Sequence, residues 1–401
     1  MRRTLIGFIS TALICLIPSS ALARAPWKQD IDRAVSGHPI GVAVRDEGRT
    51  LYRHSSKIKR VPASNEKLLM SMALLEELPI DTQIRTSAAA SSISGSTIQG
   101  DLWILGHGDP TITGGGQYGR SLPFDPTTLG SLARAIRNAG IKSIQGSVMG
   151  NTGYFARDWF APGWKSDFPM EECPLPSALT FEGNVHRDDH VADPELRAAS
   201  SLSRKLTALG VDVVGEAGAA QSPGNLTQVA HVKAEPLEKL LQYMNHKSAN
   251  FFAEMLGKRL AVERYGPPGT IANGAQAIES WAAKQGVTLI ANDSSGLSYD
   301  NRVSPGGLAR LLGSAEAFDW GGALRDLLPG ADEGTLEGRL IGVKFHAKTG
   351  TLDGISALSG WVWLRQTRSW AEFSIMSRGM SKSTAVGIED EVVRILTREA
   401  A

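Results

Sequence analysis

Ser64 and Lys67 lie three residues apart at the head of the apolar run 68–78, where helix-forming residues predict a helix start. Side chains at this spacing lie on one face of a helix. A serine hydroxyl becomes a nucleophile when a base takes its proton, and a lysine can be that base where burial or nearby cations lower its pKa. A helix start also offers backbone N–H groups and a positive dipole, which stabilise the anion formed during attack.

A second copy of the Ser-x-x-Lys spacing, at Ser56 and Lys59, shows how readily this short motif arises by chance. It lies in a polar, basic stretch with no apolar run directly after it, so we interpret it as solvated surface. Taken alone, Ser64 would also pass for an ordinary serine at a helix start. Its assignment as a nucleophile therefore depends on what else the chain contains.

Two further short motifs lie later in the chain, each beside a segment of predicted secondary structure. Ser248 and Asn250 open the helix-like run 251–256 and offer a hydroxyl and an amide two residues apart. A Lys-Thr-Gly triplet at 348–350 follows the alternating stretch 343–347, which is typical of a strand. In this order, Ser-x-x-Lys, Ser-x-Asn and Lys-Thr-Gly are close to the signature set of penicillin-recognising serine enzymes. The joint match is far more specific than any one motif.

With these motifs the chain resembles the class C low-molecular-mass penicillin-binding proteins, the D-alanyl-D-alanine carboxypeptidase/endopeptidase family, over nearly the whole mature chain. Further matching segments lie at 100–102, 108–111, 176–180, 293–298, 300–302 and 356–360. Ala249 departs from the second motif, which has Asp there, but only the flanking Ser248 and Asn250 have an assigned role. The resemblance implies an α/β (α+β) fold, a penicillin-binding-protein/β-lactamase-like transpeptidase domain with an antiparallel sheet flanked by helices, plus an inserted domain. It implies no cofactor and no metal.

The resemblance also implies a role for each residue of the first two motifs. Ser64 would attack the carbonyl between two D-alanines and form an acyl-enzyme, while Lys67 accepts the proton. Ser248 would relay a proton toward the leaving amine, and Asn250 would orient Lys67 and hold the substrate's amide. Water would then release the product, and β-lactam antibiotics would acylate the same serine as inhibitors.

The third motif is implied to bind the substrate. Lys348 and Thr349 would receive the terminal carboxylate, by charge and by hydrogen bond. The backbone N–H groups of Ser64 and Thr351 would form the oxyanion hole. Gly350 would let the substrate backbone lie close against the strand.

Two other functions are compatible with the same motifs. A β-lactamase uses a similar trio but adds a means of rapid deacylation, and no acid in this sequence has a context that assigns it that task. A catalytically silent cell-wall-binding or β-lactam-sensing protein would also fit, although every catalytic side chain is present. The large insert favours a serine-type D-Ala-D-Ala carboxypeptidase that acts on peptidoglycan peptides.

Residues 1–25 have the pattern of a secretory signal peptide. Arg2 and Arg3 precede a short apolar region at 6–17 and a small-residue cleavage site at 21–23. The apolar region is short for a membrane span, so we expect a periplasmic protein without a stable membrane anchor. Cleavage there removes two arginines and no acids, so the net charge falls from +1 to −1. That balance gives no reason to expect a nucleic-acid partner.

The spacing of the motifs predicts an inserted domain. The first and second motifs lie 184 positions apart, against 100 between the second and third. The longer gap exceeds what a compact transpeptidase core needs, so we assign 81–230 to an insert, and 26–80 with 231–401 to the catalytic domain. Within the insert, 101–105 has the pattern of a buried strand and 129–139 that of a helix.

Segments at both ends of the chain have the alternation typical of strands. Near the start these are the two arms of a predicted hairpin, 41–45 and 50–53. Near the end they are 345–347, 355–364 and 370–377, before a final helix with an apolar stripe. One sheet built from both ends would bring the scattered motifs together.

Two histidine sites and a cysteine could support other chemistry. His186 and His190 lie at helical spacing with carboxylates between them, and such a group could bind zinc. The Asp-Pro pair that follows favours an irregular polar loop, so we expect no metal. On a regular strand His346 points the same way as Lys348 and would line the cleft, although the first motif already supplies a base. Cys173, the only cysteine after signal cleavage, can form no internal disulfide and is expected to be packed.

The aromatic stretch 154–164 in the predicted insert is more apolar than a loop needs. It could close the insert's own core, or one or two of its residues could wall the cleft and contact the aliphatic part of the substrate. The second hypothesis places Tyr154 beside the catalytic residues.

Overall fold

Helices and strands are distributed along residues 25–399, the part of the chain that the computed structural model describes. The helices are α1 (Pro26–Val35), α2 (Glu66–Glu77), α3 (Gln117–Ser121), α4 (Leu129–Asn138), α5 (Phe168–Glu171), α6 (Pro194–Ala208), α7 (Leu237–Lys247), α8 (Asn250–Tyr265), α9 (Ile271–Lys284), α10 (Pro305–Ala315), α11 (Gly321–Asp326) and α12 (Lys382–Glu399). The strands are β1 (Ile40–Asp46), β2 (Arg49–His54), β3 (Gln83–Ala90), β4 (Ile93–Ser94), β5 (Thr97–Ile98), β6 (Leu102–Gly106), β7 (Ser143–Ile144), β8 (Val148–Asn151), β9 (Val185–His186), β10 (Asp189–His190), β11 (Asp212–Val213), β12 (Gly218–Ala220), β13 (Thr227–Pro236), β14 (Phe345–Leu352), β15 (Ile355–Leu364) and β16 (Ser369–Arg378). The predicted signal peptide lies outside the described residues except for Ala25. Among the described helices, none combines the length and the apolar character needed to cross a membrane.

One five-stranded antiparallel sheet is built from both ends of the chain, in the order β14-β15-β16-β1-β2. This confirms the predicted sheet and its hairpin. The Lys-Thr-Gly motif lies within β14 rather than after it, because the strand begins at Phe345 and continues to Leu352. β14 is an edge strand, so one side of its backbone pairs with no other strand of the described chain.

Alternate residues of β15 enter two cores on opposite faces of this sheet, as the two-residue period of a strand requires. Leu358 and Val362 belong to the core that includes α1 and α12. Ala357 and Trp361 belong to the core formed with α2, α8, α9 and α10. Helix α2 is buried from its first residue to Leu75, which fixes the position of the residues at its start. The observed fold is the predicted one, an antiparallel sheet flanked by helices.

From β3 to β13 the chain forms two larger sheets with a core of their own, besides the two-stranded β9–β10 pair. Their strand orders are β12-β8-β6-β3-β13 and β11-β7-β5-β4. Helices α4 and α6 pack against the first of these sheets, and a buried apolar cluster drawn from residues between Ala88 and Ala230 joins them. The predicted strand and helix of this region correspond to β6 and α4. The separate core supports the proposed insert at 81–230, whose boundaries stay a prediction.

The segment around His186 and His190 is a short hairpin, not the irregular loop that its composition predicts. His186 ends β9 and His190 ends β10, and the two strands pair antiparallel, so the helical spacing of the histidines has no structural meaning. The turn residues Arg187 and Asp188 have φ angles of 51° and 70°, as a tight hairpin turn requires. Within residues 25–399 no cluster of three or more His, Cys, Asp or Glu side chains is arranged to hold a metal ion.

Candidate active site

Ser64 lies in a tight turn that leads into α2. The 3₁₀ turn Ala63–Asn65 contains a left-handed residue, since Ala63 has a φ of 48°; such strain costs on the order of 1–3 kcal/mol and clusters at functional sites. Asn65 ties the turn to β14, because its Nδ2 donates to the Lys348 carbonyl oxygen at 3.2 Å. Ser64 is partly exposed, whereas its neighbours in the turn are buried. The serine is therefore the part of this turn that remains accessible.

Lys67 is buried directly beneath Ser64. Its Nζ lies 3.1 Å from Ser64 Oγ, 2.9 Å from Asn250 Oδ1 and 2.6 Å from the Ser295 carbonyl oxygen. Burial lowers the pKa of Lys67 to about 8, because a charged amine is disfavoured away from water. A useful fraction of this amine is therefore neutral at pH values close to neutrality.

The three partners of Lys67 differ in what they can exchange with its amine. Asn250 Oδ1 and the Ser295 carbonyl oxygen can only accept hydrogen bonds, whereas the Ser64 hydroxyl can also donate one. A neutral amine keeps two N–H groups for the two acceptors, and its lone pair then faces Ser64. Asn250 is held in this orientation because its Nδ2 donates to the Glu172 carbonyl oxygen at 3.2 Å. In this geometry the lone pair of a neutral Lys67 amine is directed at the Ser64 hydroxyl.

A buried carboxylate on α8 fixes the carbonyl that receives Lys67. Glu254 Oε1 accepts the backbone N–H groups of Ser294 and Ser295 at 3.0 and 2.7 Å. Asp293 holds the same loop through further backbone hydrogen bonds. Both carboxylates act to raise the pKa of Lys67, against the larger effect of burial. The segment 293–298 matched the family without an assigned role, and its contact with Lys67 joins residues 228 positions apart, which no local pattern indicates.

Lys348 is fully buried on β14, with its amine beneath Ser248. Its Nζ donates to Ser248 Oγ at 2.9 Å and to the Thr349 carbonyl oxygen at 3.0 Å. Burial, with smaller effects from the positive charges of Lys67 and Lys382, holds the pKa of Lys348 well below its usual range. Ser248 has a left-handed φ of 54° at the end of α7, so the chain turns sharply there before α8 begins. The second and third motifs are thus joined by a direct hydrogen bond.

All three motifs meet at one cavity of about 800 Å³. The motif residues that line it are Ser64, Ser248, Asn250, Thr349 and Thr351. Lys67 and Lys348 form an inner layer behind it, where each contacts one of the lining serines. The structure therefore brings together the predicted catalytic residues, with two hydroxyls at the surface and a lysine behind each.

Several residues that the sequence analysis missed line the same cavity. Lys382, at the start of α12, donates to Thr351 Oγ1 at 2.8 Å and to Ser356 Oγ at 2.9 Å. Arg339, which pairs with Glu389 and Asp390 of α12, also lines the cavity. The predicted insert contributes Lys165, Asp167, Phe168, Glu171 and Glu172. A charged residue at a helix start or in a loop carries no pattern that would have assigned it to this cavity.

Gly350 is required by packing within the protein, a role that the resemblance did not supply. A Cβ at this position would lie 2.6 Å from the Pro62 carbonyl oxygen and 2.9 Å from Asn65 Nδ2. Both distances are shorter than real Cβ contacts, so a larger residue would push β14 away from the Ser64 turn. The room that Gly350 leaves for a substrate backbone stays a prediction.

We expect Gly350→Ala to destabilise the fold by about 1–3 kcal/mol, the usual cost of overpacking, and to slow acylation by penicillin because the Ser64 turn must shift. Thermal unfolding and the acylation rate measure these two effects. Gly387→Ala is the matched control, since a Cβ on this α12 glycine meets nothing within 4 Å. A Gly350→Ala protein that matches the control in both measurements would show that β14 and the turn are not in close contact.

Three residues singled out in the sequence lie outside this cavity. The cavity borders only the second half of β14, and His346, in the first half, instead places its Nδ1 3.0 Å from the Leu328 carbonyl oxygen. Tyr154 packs edge-on against the His107 ring and is absent from the cavity lining, so the hypothesis of an aromatic cleft wall at this residue is wrong. Cys173 is buried among apolar side chains, as predicted.

Comparison with known proteins identifies the family of this chain. The model of the D-Ala-D-Ala carboxypeptidase 3 (S13) family matches residues 28–188 and 185–399. The chain belongs to this family. The predictions of a penicillin-binding protein and of a serine-type D-Ala-D-Ala carboxypeptidase are therefore confirmed.

Individual relatives agree with the assignment of this S13 carboxypeptidase. It is 27% identical to a D-alanyl-D-alanine carboxypeptidase of an Actinomadura species, over 94% of this chain and 85% of that protein. It is 30% identical to a carboxypeptidase of Mycobacterium tuberculosis, over 78% of this chain and 70% of the relative. Penicillin binding protein 4 of Haemophilus influenzae superposes with a TM-score of 0.78 at 22% identity, over 92% of this chain and 99% of that one. This last likeness shows the fold.

Proposed function

We propose that this S13 carboxypeptidase removes the terminal D-alanine of peptidoglycan stem peptides through an acyl-enzyme on Ser64. The observation that carries the proposal is the 3.1 Å contact between Ser64 Oγ and Lys67 Nζ, at an amine whose other two partners accept hydrogen bonds only. Lys67 takes the hydroxyl proton while Ser64 attacks the carbonyl between the two D-alanines. Water later hydrolyses the acyl-enzyme. Lys67 then returns its proton to the Ser64 oxygen, and a proton released by the attacking water restores Lys348 through Ser248.

Ser248 supplies the proton for the leaving amine. Its Oγ lines the cavity and accepts a hydrogen bond from Lys348 Nζ, so the proton that it gives to the leaving nitrogen is replaced from Lys348. The lowered pKa of Lys348 supports this step, because its ammonium releases a proton more readily than an ordinary lysine. Asn250 keeps Lys67 in place through Oδ1, and its amide meets the substrate at the cavity surface.

β14 receives the substrate backbone as an added strand. Its position at the sheet edge supports this mode of binding. The N–H groups of Ser64 and Thr351 form the oxyanion hole. The terminal carboxylate is bound by Thr349 and, until the Lys348 proton passes to Ser248, by the positive charge of Lys348. Gly350 leaves room for the peptide.

The enzyme acts in the periplasm and is acylated by β-lactams. The signal-peptide pattern of residues 1–25 supports this location. The Haemophilus influenzae penicillin binding protein 4, which has the same fold, has also been solved in complex with a β-lactam, and this supports acylation of Ser64.

Release of D-alanine tests the proposal against its alternatives. The purified protein is incubated with a peptide that ends in D-Ala-D-Ala, and separately with penicillin followed by intact-mass analysis. Release of D-alanine together with a persistent penicillin adduct supports the peptidase. Rapid turnover of penicillin would indicate a β-lactamase, and absence of D-alanine release would indicate a silent or sensing protein.

We expect the rate of acylation by penicillin to rise with pH, because only neutral Lys67 can take the Ser64 proton. Since burial lowers the pKa of Lys67 to about 8, the midpoint of this rise lies near that value. Below the midpoint the neutral fraction falls about tenfold for each pH unit, and above it the rate levels off. Acylation rates measured from about pH 6 to about pH 10 test the assignment. A rate that stays constant over this range would exclude Lys67 as the base.

A further inference from the structure

A second cavity of about 1030 Å³ lies in the predicted insert and shares no lining residue with the catalytic cavity. It is bounded by the glycine loop 114–116, one face of α6 and the β9–β10 hairpin. The catalytic steps proposed above use none of these residues. The residues that line this cavity therefore have no role in the proposed catalytic steps.

Positive charge is concentrated on these walls. Arg197, Arg204 and Lys205 line the cavity from α6, and Arg187 lines it from the hairpin turn. None of the four forms an ion pair within residues 25–399, where Arg197 Nη1 and Lys205 Nζ donate only to backbone carbonyl oxygens. Four cations without carboxylate partners leave N–H groups available to an anionic ligand.

The acids that line the same cavity do not neutralise it. Glu182 Oε1 accepts hydrogen bonds from Thr113 Oγ1 and from the backbone N–H groups of Gly114 and Gly116, at 2.7, 2.7 and 3.1 Å. This carboxylate is thus committed to holding the glycine loop. Asp188 is the other acid in the lining, so four cations face two carboxylates.

Aromatic surface accompanies the charge. The Phe181 ring lies 5.7 Å from the Arg197 guanidinium. Tyr118 also lines the cavity, and its hydroxyl donates a hydrogen bond to the Pro110 carbonyl oxygen. Rings of this kind offer an apolar surface for the body of a ligand whose anionic groups meet the cations. The cavity is therefore suited to a peptide with carboxylates rather than to a small inorganic anion.

The hairpin joins this cavity to the catalytic one. His186 and Arg187 line the second cavity, and His190, on the partner strand, contacts the Pro169 carbonyl oxygen through Nδ1 at 2.6 Å. Pro169 belongs to α5, whose residue Phe168 lines the catalytic cavity. One hairpin and one short helix therefore separate the two cavities.

We propose that this second cavity binds the carboxylate groups of a neighbouring stem peptide when the enzyme acts on polymeric peptidoglycan. The proposal rests on the proposed function, because a polymer that carries many peptides ending in D-alanine presents carboxylates at repeated intervals. One stem enters the catalytic cavity, while another on the same polymer meets the cations of the insert. A second point of attachment raises the effective concentration of the reacting stem.

The test compares one polymeric and one short substrate in a charge-reduced protein. Arg187→Asn and Arg204→Gln are combined, because both arginines are exposed and asparagine tolerates the positive φ of position 187. The matched control combines Arg134→Gln with Arg137→Gln, which removes the same charge from α4 of the insert, outside the cavity. D-alanine release is measured from isolated peptidoglycan and from a short soluble peptide ending in D-Ala-D-Ala.

We expect the cavity variant to lose about fivefold in kcat/KM on isolated peptidoglycan, as two exposed charge contacts allow, and to match the parent on the short peptide. The control variant should match the parent on both substrates, and the difference on peptidoglycan should shrink at high salt. Equal losses on both substrates, or no loss on peptidoglycan, would overturn the proposal. Binding of inorganic polyphosphate is measured with the same proteins. If polyphosphate binds the parent but not the cavity variant, and both cleave peptidoglycan equally, the ligand is a phosphate-bearing polymer instead. A parent that releases no D-alanine from the short peptide would refute the proposed function itself.

Discussion

Ser64→Ala is expected to abolish covalent labelling by penicillin and to reduce D-alanine release by at least about 10³-fold, as removal of a nucleophile does in other serine hydrolases. The reason is that no acyl-enzyme can form without the hydroxyl that Lys67 activates. Intact-mass analysis after incubation with penicillin measures the first effect, and a D-alanine assay the second. The fold should be unaffected, because Lys67 keeps its other two hydrogen-bond partners.

Ser56→Ala is the matched control for this experiment. Ser56 belongs to the second Ser-x-x-Lys copy, which lies in a turn rather than at the start of a buried helix. Residues 57–59 are exposed, as predicted, whereas Ser56 itself is buried rather than solvated. Its replacement should leave labelling and D-alanine release at the parent's level. Labelling that survives in Ser64→Ala and disappears in Ser56→Ala would show that the wrong serine has been assigned.

Lys348→Met is expected to weaken turnover of a peptide with a free terminal carboxylate by about 10- to 150-fold more than turnover of its amidated analogue. This range corresponds to about 1.5–3 kcal/mol, the contribution of a hydrogen bond to a charged group. Methionine fills much of the space of the buried lysine but provides no charge for the carboxylate. The ratio of kcat/KM values for the two peptides isolates this effect from the loss of the Ser248 contact, which affects both substrates.

Lys382→Met provides the comparison, because Lys382 lines the cavity itself whereas Lys348 lies behind Ser248. If Lys348 binds the carboxylate, the Lys382 variant should change the ratio of the two kcat/KM values much less. Equal losses of the Lys348 variant on both peptides would remove Lys348 from the carboxylate site. A larger selective loss in the Lys382 variant would assign the carboxylate to that lysine instead.

The fold and the meeting of the motifs could be predicted because they depend on local patterns. The alternating segment 355–364 became β15 with the same bounds, and the hairpin near the start of the chain became β1 and β2. Residues 64–67 stand at the start of α2, whose residues 68–75 are apolar except for Ser71, and this pattern predicts a buried element with an accessible start. Once both chain ends contribute to one sheet, the first and third motifs have to lie close together.

The rest of the site depends on contacts between distant segments, which residue type alone does not mark. The Ser295 carbonyl oxygen reaches Lys67 only because Glu254 and Asp293 hold its loop. Lys382 lies in the cavity because α12 begins beside the end of β14, and its helix pattern indicates only the apolar stripe. The spacing of two histidines suggested one helical face, although a two-residue turn between short strands produces the same spacing in sequence.

Mapping the penicillin adduct on the wild-type protein tests the assignment of Ser64 most directly. Trypsin cleaves after Arg53, Lys57, Arg60 and Lys67, so Ser56 lies in fragment 54–57 and Ser64 is the only serine of fragment 61–67. We expect mass spectrometry of the digest to find the penicilloyl group on fragment 61–67 and nowhere else. A penicilloyl group on fragment 54–57, or on any serine other than Ser64, would contradict the assignment.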